Sequence, residues 1–459
     1  MRVFRPFSDA GAYAVRACLA AIHKCVSKSN SPFRAGLLLA TLGLSLSSVT
    51  ASATDGPISL RRGVTIHEWL NWAPLTPEGD YRRPPYRDLE TWGSTADFTE
   101  IRAFGFDFVR LSVDPGPLLS ADGDRLSKAV ARLELAVRAV TQARLKVILD
   151  LHPVSQVKAW SPGAIEGPPN TQALVRYRAV VSALARMLAK VGTDKTALEL
   201  MNEPQFEPCD GVSGRNWEEV LIGLVRAARD AAPELTLVVS GACGGTITGL
   251  VQLDPAKLNA DRLLFSFHFF EPEAFTQQGQ PGAAAVKGAP WPTSDKEAAL
   301  ALAYSELLLE EEVLTPHERA ARLADIRTYL GAYTAAGGTP EKLRTRFGEV
   351  RAWADRHGIP HRNLLLGAFG ATAATGSRGG ALDAHRFFWL EAVRREAERL
   401  GAAWTYWAYS NPYGMSLRSP DRARRPDGVA LDAPGLRPIP WDTSSRTDAT
   451  PDMRRRARP

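Results

Sequence analysis

Ala197-Leu198-Glu199-Leu200-Met201-Asn202-Glu203-Pro204 is a short apolar run that stops at polar side chains. It reads as a strand, Ala197 to Asn202, carrying Glu203 at its carboxyl end. Seven more such runs lie on either side of it, at Gly63–Ile66, Phe106–Val113, Lys146–Leu151, Leu235–Ser240, Leu263–His268, Leu364–Phe369 and Ala402–Ala408. Long segments with helical periodicity separate them, notably Arg125–Ala143, Thr171–Val191, Arg215–Ala231, Glu341–His357 and Asp383–Leu400. Alternation of this kind builds parallel strands covered by helices, and right-handed crossovers set consecutive strands side by side. Eight repeats then imply a closed (β/α)8 TIM barrel.

An open, doubly wound sheet is the rival, and it calls for a glycine-rich phosphate loop after the first strand. Ile66-His67-Glu68-Trp69-Leu70-Asn71-Trp72 is aromatic and polar instead. A chain of 459 residues could hold about three ordinary domains, but one barrel with insertions reaches that size too. The stretch from about Glu271 to Pro340 is longer than a strand-to-helix loop needs. It holds proline- and glycine-rich pieces and a helical acidic patch at Glu310-Glu311-Glu312, and reads as an insertion after the sixth strand that caps the barrel mouth.

The ends differ from the middle. Six basic residues (Arg2, Arg5, Arg16, Lys24, Lys28, Arg34) and one acid, Asp9, precede an apolar run from Ala35 to Val49 and then Ala51-Ser52-Ala53. That order is a secretory signal, with cleavage expected near Ala51 or Ala53, a secreted or periplasmic product, and no stable membrane span after processing. The apolar run is shorter than the ~20 residues a bilayer span needs, which weighs against the alternative, a retained anchor. The full chain carries a net charge of +6, most of it in residues 1–53, so the remainder is nearly neutral and nucleic-acid binding is not implied. The expected division is a signal over 1–53, a barrel over 54–415, and a closing segment with a basic, proline-rich tail over 416–459, whose end reads as disordered. Of the four cysteines, Cys18 and Cys25 fall in the signal; Cys209 and Cys243 remain, and a disulfide between them or two free thiols are both open.

In a barrel of this kind chemistry sits at the carboxyl ends of the strands. The side chains there are Arg110, His152, Asn202, Glu203 and His268. Five polar groups at one level of a barrel cost free energy unless they bond one another or a ligand. Glycosidic cleavage needs a carboxyl group that is protonated beside the leaving oxygen, and burial at the barrel mouth raises a carboxyl pKa; Glu203 suits that task. The alternative for Glu203 is a buried carboxylate paired with Arg110. Trp69, Trp72, Trp160, Trp291 and Trp407 lie near strand ends and offer flat faces to sugar C–H groups, whereas Trp217, Trp353 and Trp389 lie inside helices and read as core.

From about Gly63 to Gly414 the chain resembles the family 5 glycoside hydrolases, of cellulase, mannanase and exoglucanase type. The resemblance rests on Arg110 in Phe-Val-Arg-Leu, His152 in Leu-Asp-Leu-His, Asn202-Glu203-Pro204, His268 in Phe-Ser-Phe-His-Phe-Phe, and Trp407 in Trp-Thr-Tyr-Trp-Ala-Tyr. It implies that Glu203 is the general acid/base, that Asn202 holds a sugar 2-hydroxyl, and that Arg110, His152 and His268 orient charge around the cleaved bond. Trp407 would floor a sugar subsite, the substrate would be a β-linked glycan, and no cofactor or metal would be needed.

Two departures bear on catalysis. The family's nucleophile glutamate stands in a Gly-Glu-Phe-Gly context, which here is Gly367-Ala368-Phe369-Gly370; the tyrosine that bonds it, two residues after the sixth-strand histidine, is Phe270. A methyl group cannot attack an anomeric carbon, so retaining hydrolysis through Ala368 is excluded. Glu271, Glu273 and Glu68 are the carboxylates that could activate a water instead, their ordinary reading being solvated loop residues. The expectation is a glycosidase, with two rivals: a non-catalytic glycan-binding pseudoenzyme with a preserved cleft, and a metal-dependent hydrolase. The last would need clustered histidines of the His-x-His kind, which the sequence lacks.

Overall fold

In the computed structural model, residues 56–166, 170–205, 217–280, 287–374, 379–412, 414–418 and 426–436 are described. Eight strands run parallel in chain order: β1 (Arg62–Leu70), β2 (Phe108–Val113), β3 (Lys146–Leu151), β4 (Thr196–Glu199), β5 (Thr236–Ser240), β6 (Leu263–His268), β7 (Leu364–Phe369) and β8 (Ala403–Tyr406). They close into a barrel as β8 pairs with β1, Gly63 lying opposite Thr405. The TIM-barrel expectation is met, with the insertion after the sixth strand.

Strand alternation divides the side chains into two sets. Outward residues such as Val109, Leu111, Val147, Leu149, Leu237 and Val239 are buried beneath the helices in the main core. The first inward layer is apolar and comprises Phe108, Ile148, Ala197, Val238, Leu264, Leu365 and Ala403, with Ile58 packed against it. Two residues further along, every one of these inward positions except Gly367 on β7 turns polar. Arg110, Asp150, Glu199, Ser240, Ser266 and Thr405 occupy them, all buried. This change from an apolar plug to a polar layer marks where the site begins.

The helices form for ordinary reasons. Gly123–Gln142 buries Ala129, Leu133, Ala136, Val137 and Val140, a stripe at helical spacing. Gln172–Val191 is capped by the Thr171 hydroxyl, which accepts from the Leu174 backbone amide, and Asp383–Leu400 ends at Gly401 in the left-handed region (φ 82°) that favours glycine.

Two strands end earlier than expected. The run at 197–202 is a strand only to Glu199, although the amides of Leu200 and Asn202 still bond the carbonyls of Val238 and Leu151. Backbone pairing therefore persists while the chain begins to turn, and Glu203 reaches φ 42°, a costly conformation for a side chain other than glycine. The last strand contracts to Ala403–Tyr406 in the same way.

Between β6 and β7 the insertion forms helices Glu273–Thr276, Asp295–Glu310 and Pro316–Ala336, the last opened by a Thr315–Glu318 capping box. Its first residues reach the mouth of the barrel. In the closing segment Leu417, Ala430 and Leu431 are buried. The expected signal over 1–53 and the end of the tail lie outside the described residues, and among those described no helix is long and apolar enough to cross a membrane.

Candidate active site

The polar layer solves the problem of burying charge by pairing it. Arg110 donates through Nε and one terminal nitrogen to both oxygens of Glu199 (2.7 and 2.8 Å), and that same terminal nitrogen bonds Asn202 Oδ1 at 2.8 Å. It also lies 3.2 Å from Asp150. Asp150 accepts from Ser112 Oγ (2.9 Å) and from His152 Nδ1 (2.8 Å). With the proton on Nδ1, His152 Nε2 is free to accept from the Asn202 amide at 3.4 Å. Burial acts to raise the Asp150 carboxyl, but Arg110 and His152 outweigh it and hold Asp150 below the usual range. Burial prevails at Glu199, which is raised despite Arg110.

The arrangement bears on the role given to Arg110 and on the alternative that pairs Glu203 with Arg110. Arg110 has no exposed surface and stands under the cleft, so it holds Asn202 and two carboxylates in place instead of touching a sugar. Its carboxylate partners are Glu199 and Asp150; Glu203 is bonded elsewhere. Both partners escaped sequence reading, although each sits an even number of residues from a recognised one: Asp150 two before His152, on the same strand face.

Above this layer opens a cleft of about 600 Å³ whose walls include Glu203, His268, Phe270 and Trp407. His152 and Asn202 lie just below, nearly buried. Glu203 and Trp407 thus share one cleft, as expected. Trp72, 47% exposed, joins its wall, while Trp69 and Trp291 are buried and contribute packing instead. Trp217, Trp353 and Trp389 are core, as read from their helices.

His67, which sequence reasoning passed over, packs its ring against Trp407. Its ring lies 4.7 Å from the indole, and His152 stacks on the indole at 5.8 Å with an interplanar angle of 16°. Burial first, then the nearby His152, depress the His67 pKa to about 3, so its ring is neutral. Trp72 Nε1 donates to His67 Nε2 at 3.1 Å. Nδ1 therefore carries the proton, and the Asn71 amide, 3.3 Å away, serves best with its oxygen turned toward the ring.

The Glu203 carboxylate bonds His268 Nδ1 at 2.8 Å. Burial alone would raise its pKa, as the sequence suggested, but the hydrogen bond and charge of His268, helped by His152 and Arg110, bring it below the usual value of 4.5. The carboxyl is thus set to be ionised near neutrality. A base fits this state better than an acid. NMR titration of a Glu203-labelled protein should place the midpoint below 4.5; a midpoint above it would show that burial dominates. Because the folded value is depressed, the associated stability is present above the unfolded carboxyl range and is lost as pH falls through the folded value.

Ala368, one residue before the end of β7, lies in register with His268 and is 1% exposed. All three candidate replacement carboxylates border the cleft. Glu271 is held by Arg346 at 2.9 to 3.2 Å, and Glu273 is exposed. Burial raises the Glu68 carboxyl, a direction that suits a general acid or a base acting on water. Cys243, also in the wall, is disulfide-bonded, and its expected partner Cys209 lies outside the described residues. Among the described residues no cluster of three or more ligating side chains could hold a metal.

Residues 81–412 match the cellulase family, glycosyl hydrolase family 5. The chain belongs to that family. It is 27% identical over 223 residues to cellodextrinase A of Ruminococcus flavefaciens, covering 48% of this chain and 60% of that one. Against endoglucanase C of Acetivibrio thermocellus it is 23% identical over 226 residues, with the same coverage. The chain therefore spans somewhat over half the length of these curated relatives. Among solved structures, the cellulose synthase subunit Z of Clostridioides difficile superposes with a TM-score of 0.57 at 21% identity, over 82% of this chain and 99% of that one. A family 5 xyloglucanase from Paenibacillus pabuli gives 0.58 at 16% identity, over 82% and 98%. These likenesses carry the family 5 fold.

Proposed function

We propose that this family 5 chain grips a β-linked glycan in the cleft between Trp72, Glu203 and Trp407, and that hydrolysis by the retaining route is crippled. The observation that carries this reading is Ala368, a methyl group in register with His268 near the end of β7 where the family resemblance calls for a nucleophile. Three features support retention of the glycan. Trp407 presents an indole braced by His67 and His152, Asn202 is fixed by Arg110, and Glu203 is oriented by His268. The ionised state of Glu203 points the same way, since a general acid must carry a proton when the glycosidic bond breaks.

Trp407→Ala tests the binding half. Removing the indole should weaken cellotetraose affinity about tenfold by calorimetry, the worth of one good aromatic contact. Glu203→Gln should leave that affinity within about threefold, because Glu203 acts on the leaving oxygen and contributes little to ground-state grip. No detectable binding of cellotetraose or mannotetraose by the unaltered protein would remove the proposal.

A further inference from the structure

A second hollow, of about 520 Å³, opens on the same end of the barrel and contrasts with the cleft in charge. It lies among the chain following β1, the start of the helix after β2 and the chain following β3. Arg82, Arg83, Arg125, Lys128 and Arg132 all line it, with Asp80 as the one acid among the described lining residues. Arg132 is paired with Asp88, and Arg82 donates to the Leu75 carbonyl at 2.9 Å. Among the described residues, the side chains of Arg83, Arg125 and Lys128 form no hydrogen bond or ion pair, and all three are exposed.

Helix formation does not account for this arrangement. Positions 125, 128 and 132 fall on one face of Gly123–Gln142, so three cations are stacked where like charges repel. Arg125 also stands in the first turn, where the helix dipole disfavours a positive charge. Surface lysines and arginines usually spread out among acids; here they converge on a concave surface together with two aromatic rings, Tyr81 and Trp160. Arg176 lies over the Trp160 ring at 5.8 Å. Guanidinium forks beside aromatic faces match a ring that carries a carboxylate: the fork takes the carboxylate and the aromatic faces take the C–H surface.

The loops involved also build the cleft. The chain after β1 contributes Trp72 to the cleft wall and Tyr81 to Pro85 to the hollow, and a Gln156 to Ala73 hydrogen bond (3.0 Å) ties that loop to the one carrying Trp160. We propose that this hollow is a second glycan site that binds uronate residues, giving the protein a preference for carboxylate-bearing β-glycans over neutral ones. It rests on the preceding reading only for the ligand being a glycan.

The test compares cellohexaose with the hexamer of β-1,4-linked glucuronate, by calorimetry on the full chain. The uronate should bind at least about tenfold tighter, the worth of one charge-assisted bond. Arg83→Gln, Arg125→Gln and Lys128→Gln together should erase that advantage and leave cellohexaose affinity unchanged; Trp160→Ala should lower uronate affinity alone. An unchanged uronate affinity in the triple variant overturns the proposal. So does displacement of the uronate by inorganic phosphate or a polynucleotide at equal charge, which would mark a general anion surface. If cellohexaose fails to bind while uronate binding persists and is lost in the triple variant, the hollow stands and the cleft reading falls.

Discussion

Ala368→Glu should raise hydrolysis of cello-oligosaccharides by two to four orders of magnitude, that is, recover a part of the factor of about 10⁶ that losing a nucleophile costs. The substituted position lies one residue before the end of β7, beside the strand that carries His268, which itself bonds Glu203. Retaining chemistry requires the two carboxyl groups ~5–5.5 Å apart, and the link between the two positions is His268, which is in register with Ala368 and bonds Glu203. A second effect runs in the same direction. A new carboxylate near Glu203 opposes the cationic pull of Arg110 and His268 and lifts the Glu203 pKa, returning it toward the protonated state that an acid needs. The pH–rate profile of the variant should accordingly show its acid limb set by the new carboxylate and its alkaline limb by a Glu203 titrating above its wild-type midpoint. Adding Phe270→Tyr should exceed the single change, since Phe270 has no hydroxyl to hold the glutamate. Adding Glu203→Gln should abolish the gain. Wild-type turnover at ordinary rates with retained product stereochemistry would show that another group already serves as nucleophile. An Ala368→Glu protein that binds cellotetraose normally yet remains inert would show that the β7 position does not face the anomeric carbon.

Much of this architecture was legible because period and length are robust signals. Lys146–Leu151, Leu263–His268 and Leu364–Phe369 fall where the apolar runs put them, since a strand buried on both faces is a continuous apolar run bounded by polar ends. Strand ends were less legible. Ala197–Asn202 stops three residues early because pairing outlasts regular dihedrals at a turn into the site. The site itself was visible at residues whose types chemistry demands, Glu203, His268 and Trp407, and invisible where a side chain matters for what it touches across the barrel. His67 and Asp150 have no local signature of function, and only the closed sheet brings them beneath Trp407 and beside Arg110. The Glu203 pKa was read from burial alone, and the partner that reverses it, His268, lies 65 residues away.

The cost of Arg110→Met follows from the same cross-barrel contacts. Arg110 is fully buried and is the partner of Glu199, Asp150 and Asn202 at once. Removing one member of a buried ion pair strands the other, typically at about 3–5 kcal/mol, and here two carboxylates are affected. Asp150 keeps Ser112 and His152, so the larger share falls on Glu199. Urea unfolding at neutral pH should therefore show a loss of about 3–5 kcal/mol, with the slope unchanged. The pH dependence identifies the cause. Burial already raises the Glu199 carboxyl with Arg110 present, and without it the folded value rises further. A group raised on folding contributes stability that is complete below its unfolded pKa and disappears as pH climbs through its folded pKa, so the defect should shrink toward pH 4 and grow toward pH 7. Arg110→Met with Glu199→Leu removes the charge along with its partner and should recover most of the loss, because an apolar pair can replace a buried ion pair at little cost. Its cellotetraose affinity should stay low even so, since Asn202 no longer has the guanidinium that fixes its oxygen. Stability restored together with full affinity would mean that Asn202 is held by His152 alone, and a single variant within about 1 kcal/mol of wild type would mean that water reaches Glu199 beneath the cleft.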